Sequence, residues 1–242
     1  MPTLDATDPA ALSGSDDRTA ARQRLSTRLL FLIVGIANAT WAPLVPLVKD
    51  RAGLNEAGLG LLLLTFGIGS LLAMPSAGAA AARLGYRPVL LAGTLALGLA
   101  LPVLALASGL VPLTGALLLF GAGMGAVDCV MNLQAVAVER AGGRPMMSGF
   151  HGLYSLGCIL GALIASALLA AGLGAGGSVL LLVGGIAALF AAAWPGILRA
   201  ERGGGARVPP SRCPGVRCLG SGCSAAWCSS PRARPSTGAP CS

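Results

Sequence analysis

Long uncharged runs, separated by short charged clusters, set the pattern of this chain. Leu29–Val48 and Ala57–Ala82 are 20 and 26 residues without a charge, Pro88–Val127 is 40, and Pro145–Leu198 is 54. About 20 apolar residues in a helix cross a hydrocarbon core of about 30 Å, so each of the first two runs predicts one span. The third is long enough for most of two, and its Gly- and Pro-bearing break "SGLVP", Ser108–Pro112, predicts the turn between them. As a single helix the fourth run would reach about 80 Å, so it must fold back, and "AGLGAGGS", Ala171–Ser178, supplies the turn. The expected fold is all-α and polytopic, with six transmembrane helices.

Composition agrees: 55% of residues are apolar and 11% charged, against about 25% charged in a soluble domain. The net charge of +8 would suit a nucleic-acid partner in a polar protein. In a chain this apolar it reads as topology, with the lipid bilayer as partner and no nucleic acid. Between Ala52 and Leu198 the only charged side chains are Glu56, Arg83, Arg87, Asp128, Glu139, Arg140 and Arg144. Arginines cluster before the first span (Arg18, Arg22, Arg24, Arg28), between the second and third (Arg83, Arg87), between the fourth and fifth (Arg140, Arg144) and after the sixth. Lys49 and Arg51 on the other side are offset by Asp50 and Glu56. Retention of positive loops then predicts a plasma-membrane protein with both termini cytoplasmic. Residues 1–28 are polar, lack the apolar core of a signal peptide and are expected to be a disordered cytoplasmic segment. Residues 29–199 form the expected bundle.

Asp128 is the acid that falls inside a span. It lies eleven residues, about 16 Å, from Glu139 at the end of the fourth span, near mid-membrane. An intramembrane acid costs about 3 kcal/mol on insertion scales, so it is expected to face a bundle interior or aqueous cavity and to exchange protons in a transport cycle. Gly121, Gly125, Asp128 and Asn132 recur at spacings of four, three and four and share one helix face, first small and then polar. Asn38, nine residues or about 14 Å into the oppositely directed first span, comes to a similar depth. His151, Ser155 and Cys158 form a stripe on the fifth span, with Tyr154 beside it. Each has a structural alternative: Asp128 as a hydrogen-bonded structural acid, Asn38 as interhelical glue, His151 as an interfacial residue. Trp41 and Trp194 near span ends read as interfacial anchors. "GAGMGA", Gly121–Ala126, follows no strand and is rejected as a phosphate loop. The sequon at Asn38 falls at lipid depth and is rejected as a glycosylation acceptor.

From residue 200 the composition changes. The last 40 residues hold seven Gly, seven Ser, six Pro, five Cys and five Arg, with no acid, which predicts a disordered basic tail. Cys213, Cys218, Cys223 and Cys228 recur every five residues, wider than zinc-ligand pairs, so neither a metal site nor any cofactor is expected. This composition fits a GC-rich gene read out of frame, an expectation tested by reading the DNA beyond it in all frames.

The segment "GAAAARLGYRP", Gly78–Pro88, resembles the signature loop of the major facilitator superfamily of transporters. Gly78, Arg83, Gly85 and Arg87 match the pattern, whereas its aspartate position is Ala82 and its last basic position is Pro88. The resemblance implies a cytoplasmic gate loop whose usual acid is missing. "VDCVMNLQAVAVER" with "GRPMMSGFHGLYSLGCILGA", and "GIANATWAPLVP" in the first span, are similar to the fucose permease-like branch. That likeness implies sugar:proton symport, with an acid at Asp128 in proton coupling and polar residues at His151 and Tyr154 near the sugar path. Carriers of this superfamily pair two six-helix halves around the solute, and the six spans here correspond to the N-terminal half.

The expected function is proton-coupled movement of a sugar or other small polar solute, with Asp128 as proton site and Asn132, Asn38, Tyr154 and His151 along the path. A homodimer or a separate second half would complete the path. Two alternatives stand beside it: an inactive truncated fragment, and a non-transporting membrane protein whose basic tail binds lipid or a partner. Enzymatic catalysis is not expected, since no nucleophile, base and orienting group occur at usable spacing.

Overall fold

The computed structural model describes the backbone of residues 9–199 and the side chains of residues 17–199; residues 1–8 and the expected tail, with its cysteine series, lie outside the described residues. Seven α-helices follow one another: α1 (Pro9–Thr40), α2 (Val45–Ala52), α3 (Glu56–Leu84), α4 (Tyr86–Leu106), α5 (Leu110–Gly142), α6 (Met147–Ala170) and α7 (Gly174–Ala193). Single 3-10 turns at Ala42–Leu44 and Trp194–Gly196 complete the regular structure of the described residues. Six helices are long and apolar enough to cross a membrane, α1 and α2 together making the first. The breaks expected at Ser108–Pro112 and Ala171–Ser178 fall at 107–109 and 171–173.

Two boundaries differ from the expectation. Residues 9–28, expected to be disordered, are helical and continuous with the first span. Tertiary contacts hold the part nearest the bundle: Ser26 and Thr27 are buried, the Ser26 hydroxyl donates to the Ala193 carbonyl at 2.7 Å, and Gly196 packs against the Arg22 backbone. The segment Gly78–Pro88 is mostly helix rather than loop. Gly78 and Arg83 lie in α3, Arg87 lies in the first turn of α4, and the link is Gly85 alone. Its φ of 93° is a backbone setting that favours glycine, which accounts physically for a glycine at that point of the motif.

Two glycine-clasped helix pairs organise the bundle. In the α1/α6 pair, a Cβ on Gly35 would strike the Tyr154 carbonyl and one on Gly157 the Leu32 carbonyl. In the α3/α5 pair, a Cβ on Gly121 would strike the Phe66 carbonyl and one on Gly69 the Leu118 carbonyl. The helices within each pair run parallel, since contacts advance together along both chains. Lipid tails give apolar helices no hydrophobic reason to associate, so such close backbone approach supplies the packing attraction. The pairs have matching registers. Gly35 corresponds to Gly121 and Gly157 to Gly69, while the remaining spans repeat the pattern, with α4 packed on α5 and α7 packed on α1. Because α1 and α5 run in opposite directions, the two three-span units form an inverted repeat. Helix α5 is the hub: it packs on α1, α3 and α4 and buries Leu117, Phe120, Val127, Val130 and Met131.

Candidate functional site

Below Gly125, whose Cβ would meet the Ser70 carbonyl at 2.5 Å, the small face of α5 becomes polar at Asp128 and Asn132. The Asn132 amide donates to the Asp128 carbonyl oxygen at 2.8 Å and lies 3.4 Å from its carboxylate Oδ1. Both side chains are half-buried, so the carboxylate is neither sealed in the core nor fully exposed. Asn38 of α1 donates from Nδ2 to the Tyr154 hydroxyl of α6 at 2.9 Å, joining the two helices of that pair. The Cys158 thiol lies one turn further along α6, within electrostatic reach of Tyr154. Asp128 is within electrostatic reach of both His151 and Tyr154. His151 is exposed and its ring meets Phe31 edge-on at 5.2 Å between centroids. Asp128, Asn132, Asn38, Tyr154 and His151, taken from three spans, therefore gather on one side of an otherwise apolar bundle. Such a face offers a carboxylate for a proton and amide, phenol and imidazole groups for hydrogen bonds to a polar molecule.

The remaining residues of the stripe and the tryptophans divide differently. Ser155 turns its hydroxyl back to the His151 carbonyl at 3.2 Å, satisfying its own helix. Trp41, expected as an interfacial anchor, is only 8% exposed, and its buried indole N–H has no partner among the described residues. The kink after Thr40, where Pro43 and Pro46 enter, carries that ring into the core. Trp194 is half-buried at a span end, with the Arg87 guanidinium 5.5 Å above its ring. Gly121–Ala126 is interior to α5, and Thr40 of the sequon is buried with its hydroxyl on the Ile36 carbonyl, 2.7 Å away.

At the arginine-bearing end the motif residues take separate positions. Arg87 donates from Nε to the Ile197 carbonyl at 3.0 Å and from Nη2 to the Pro195 carbonyl at 3.3 Å, tying the start of α4 to the end of α7. Arg83 is exposed, and Gly78 faces the Cys129 sulfur across α3 and α5 at ordinary contact distance. Two residues outside the sequence-based set hold this end together. Gln134 is fully buried: it donates to the Thr27 hydroxyl at 3.0 Å and accepts from the Leu198 N–H at 3.4 Å. Glu139 Oε2 accepts the N–H groups of Met146 and Met147, each at 2.6 Å, capping α6. A polar Gln six residues beyond Asp128 in an apolar helix was the available signal for the first. At the opposite end Arg51 caps α4 through the Ala105 carbonyl at 2.6 Å, and Lys49 pairs with Glu56.

A multi-pass inverted-repeat bundle with polar groups from several spans on one face is the construction of a membrane carrier. Residues 29–223 match the profile of the Major Facilitator Superfamily, and the chain belongs to that superfamily of transporters. It is 56% identical over 151 residues to an uncharacterized MFS-type transporter of Yersinia pestis, an overlap of 62% of this chain and 39% of that protein. It is 38% identical over 132 residues to an uncharacterized transporter of Sinorhizobium fredii, 54% of this chain and 35% of the relative. The membrane protein MosC of Rhizobium meliloti is 37% identical over 131 residues, 54% of this chain and 32% of its own length. The chain thus spans between about a third and two fifths of the curated relatives it matches.

Proposed function

We propose that this bundle is the N-terminal half of a fucose permease-like carrier that moves a small polar solute, a sugar by class, together with a proton. The observation that carries this reading is the half-buried Asp128 carboxylate, with Asn132 alongside and His151 and Tyr154 within electrostatic reach. An acid at that depth is costly unless water or a polar partner reaches it. In the proposed cycle Asp128 binds a proton on one side of the membrane and releases it on the other. Asn38, Tyr154, Asn132 and His151 hydrogen-bond the solute or the water that replaces it. Gly78, Arg83, Gly85 and Arg87 belong to the gate at the arginine-bearing end. There Arg87 braces α4 on α7, and the exposed Arg83 faces outward.

The arginine-bearing ends support a reading in which both termini lie on the cytoplasmic side of the plasma membrane. A second six-helix bundle, either another copy of this one or a separate half, would close the path. Support comes from the outer helices of the two pairs, which leave large apolar side chains uncovered: Leu71 of α3 is 71% exposed and Leu163 of α6 61%. Crosslinking in native membranes detects such a pairing.

The test is uptake into liposomes of a panel of labelled sugars by a carrier containing both halves, with and without Asp128→Asn. The substitution should remove the response to an imposed pH gradient. Undiminished uptake at every pH would overturn the assignment.

A further inference from the structure

On the side of the bundle formed by α4 and α7, away from the polar face, an apolar groove of about 510 Å³ runs along the seam. Leu91, Leu95 and Leu99 line one wall and Val183, Ile186 and Phe190 the other. Gly98 deepens it, since a Cβ there would reach only ordinary contact with Val183 at 3.6 Å. Thr94 supplies the only polar side chain near its middle, so a sugar or peptide would leave its hydrogen bonds unmade. At one end the groove reaches Trp194. Beside Trp194, whose ring Arg87 overlies, lies a second cavity of about 310 Å³, lined by Thr19, Arg22, Gln23, Arg87, Arg199 and the segment Pro195–Leu198.

That second cavity is cationic and incompletely satisfied. Arg87 spends Nε and one hydrogen of Nη2 on backbone carbonyls, and its Nη1 hydrogens have no partner among the described residues. Arg87 and Arg199 lie within electrostatic range of each other, and no acidic side chain lines the cavity among the described residues. Converging guanidiniums call for an anion, and their planar forks suit phosphate oxygens. The adjoining groove requires that anion to carry a long apolar chain.

We propose that the α4–α7 seam binds an anionic glycerophospholipid, one acyl chain lying in the Leu91–Phe190 groove and the phosphate held by Arg22, Arg87 and Arg199. The charge of the cavity, its place beside the groove across the Arg87–Trp194 contact and the length and apolarity of α4 select a lipid over a soluble phosphate. This assignment is independent of the solute and of proton coupling.

Native mass spectrometry of the full chain, released from detergent after incubation with dioleoyl phosphatidylglycerol or dioleoyl phosphatidylcholine, tests it. The protein should retain the phosphatidylglycerol at least about tenfold more than the phosphatidylcholine. The double substitution Arg22→Gln with Arg199→Gln should abolish that preference, and Gly98→Phe, which fills the groove, should reduce retention of phosphatidylglycerol. Inorganic phosphate at millimolar concentration should not displace the lipid. Equal retention of the two lipids by the unsubstituted chain would overturn the proposal even if a variant failed to fold. So would full preference in the folded double variant or displacement by phosphate alone.

Discussion

The two glycine-clasped pairs share a backbone and differ in chemistry. In α1/α6, Asn38 lies three residues after the clasp glycine Gly35, and Tyr154 lies three before Gly157. In α3/α5 the corresponding positions, three after Gly121 and three before Gly69, are Met124 and Phe66. Where one pair has an amide-to-phenol hydrogen bond of 2.9 Å, the other has Phe66 packed on Phe120 with centroids 5.6 Å apart. The α3/α5 pair carries its polar groups one step further along, at Asp128 and Asn132, where the first span has kinked away at Ala42–Leu44. Close helix approach is thus a property of the repeat, while the polar side chains are distributed over it asymmetrically.

The comparison breaks first at the clasps. Gly121→Val and Gly157→Val each put a branched side chain against a backbone carbonyl that cannot retreat, at a cost of about 3 kcal/mol. Both should lose most monodisperse protein in size-exclusion chromatography; if only one does, the equivalence of the pairs fails. Next in size is Gln134→Leu, which leaves the half-buried Leu198 N–H without its acceptor and the buried Thr27 hydroxyl without its donor. It should lower stability by about 1–3 kcal/mol, read as a fall in the thermal midpoint. Smallest in stability is Asn38→Met, which copies Met124 of the other pair. The lost hydrogen bond is worth about 1 kcal/mol, so folded yield should barely change. Solute uptake by the completed carrier should nevertheless fall sharply, separating shared scaffold from added chemistry.

Much of this architecture was legible because the bilayer imposes a length. The uncharged runs and their Gly- and Pro-bearing breaks yielded six spans with turns within a few residues of those observed. Spacing alone placed Asp128 and Asn132 on one face, since that follows from helix geometry within a single element. What spacing does not encode is the rotation of one helix against another. The glycines of α5 announced a close neighbour, but that it is α3, at Phe66 and Ser70, depends on tertiary packing. The link from Asn38 to Tyr154 spans 116 positions and was likewise not visible, since the sequence matched Asn38 in depth to Asp128 instead. Trp41 was misplaced because depth suggested an interface, whereas the kink after Thr40 turns its ring inward. Polarity before Leu29 suggested disorder, yet buried contacts at Ser26 and Thr27 extend the helix backwards. Glu139 marked a span end in the sequence and proves to cap the next helix.

The central claim is that the Asp128 position opens to water while the α4 face opens to lipid, and thiol accessibility measures this directly. With the seven native cysteines replaced by serine, single cysteines at Asp128 and at Leu95 would be exposed in membranes to a charged, membrane-impermeant thiol reagent. The cysteine at 128 should be modified and the one at 95 should remain unreacted, although Leu95 is 56% exposed on the bundle surface. An inert cysteine at 128 beside a reactive one at 95 would contradict the account.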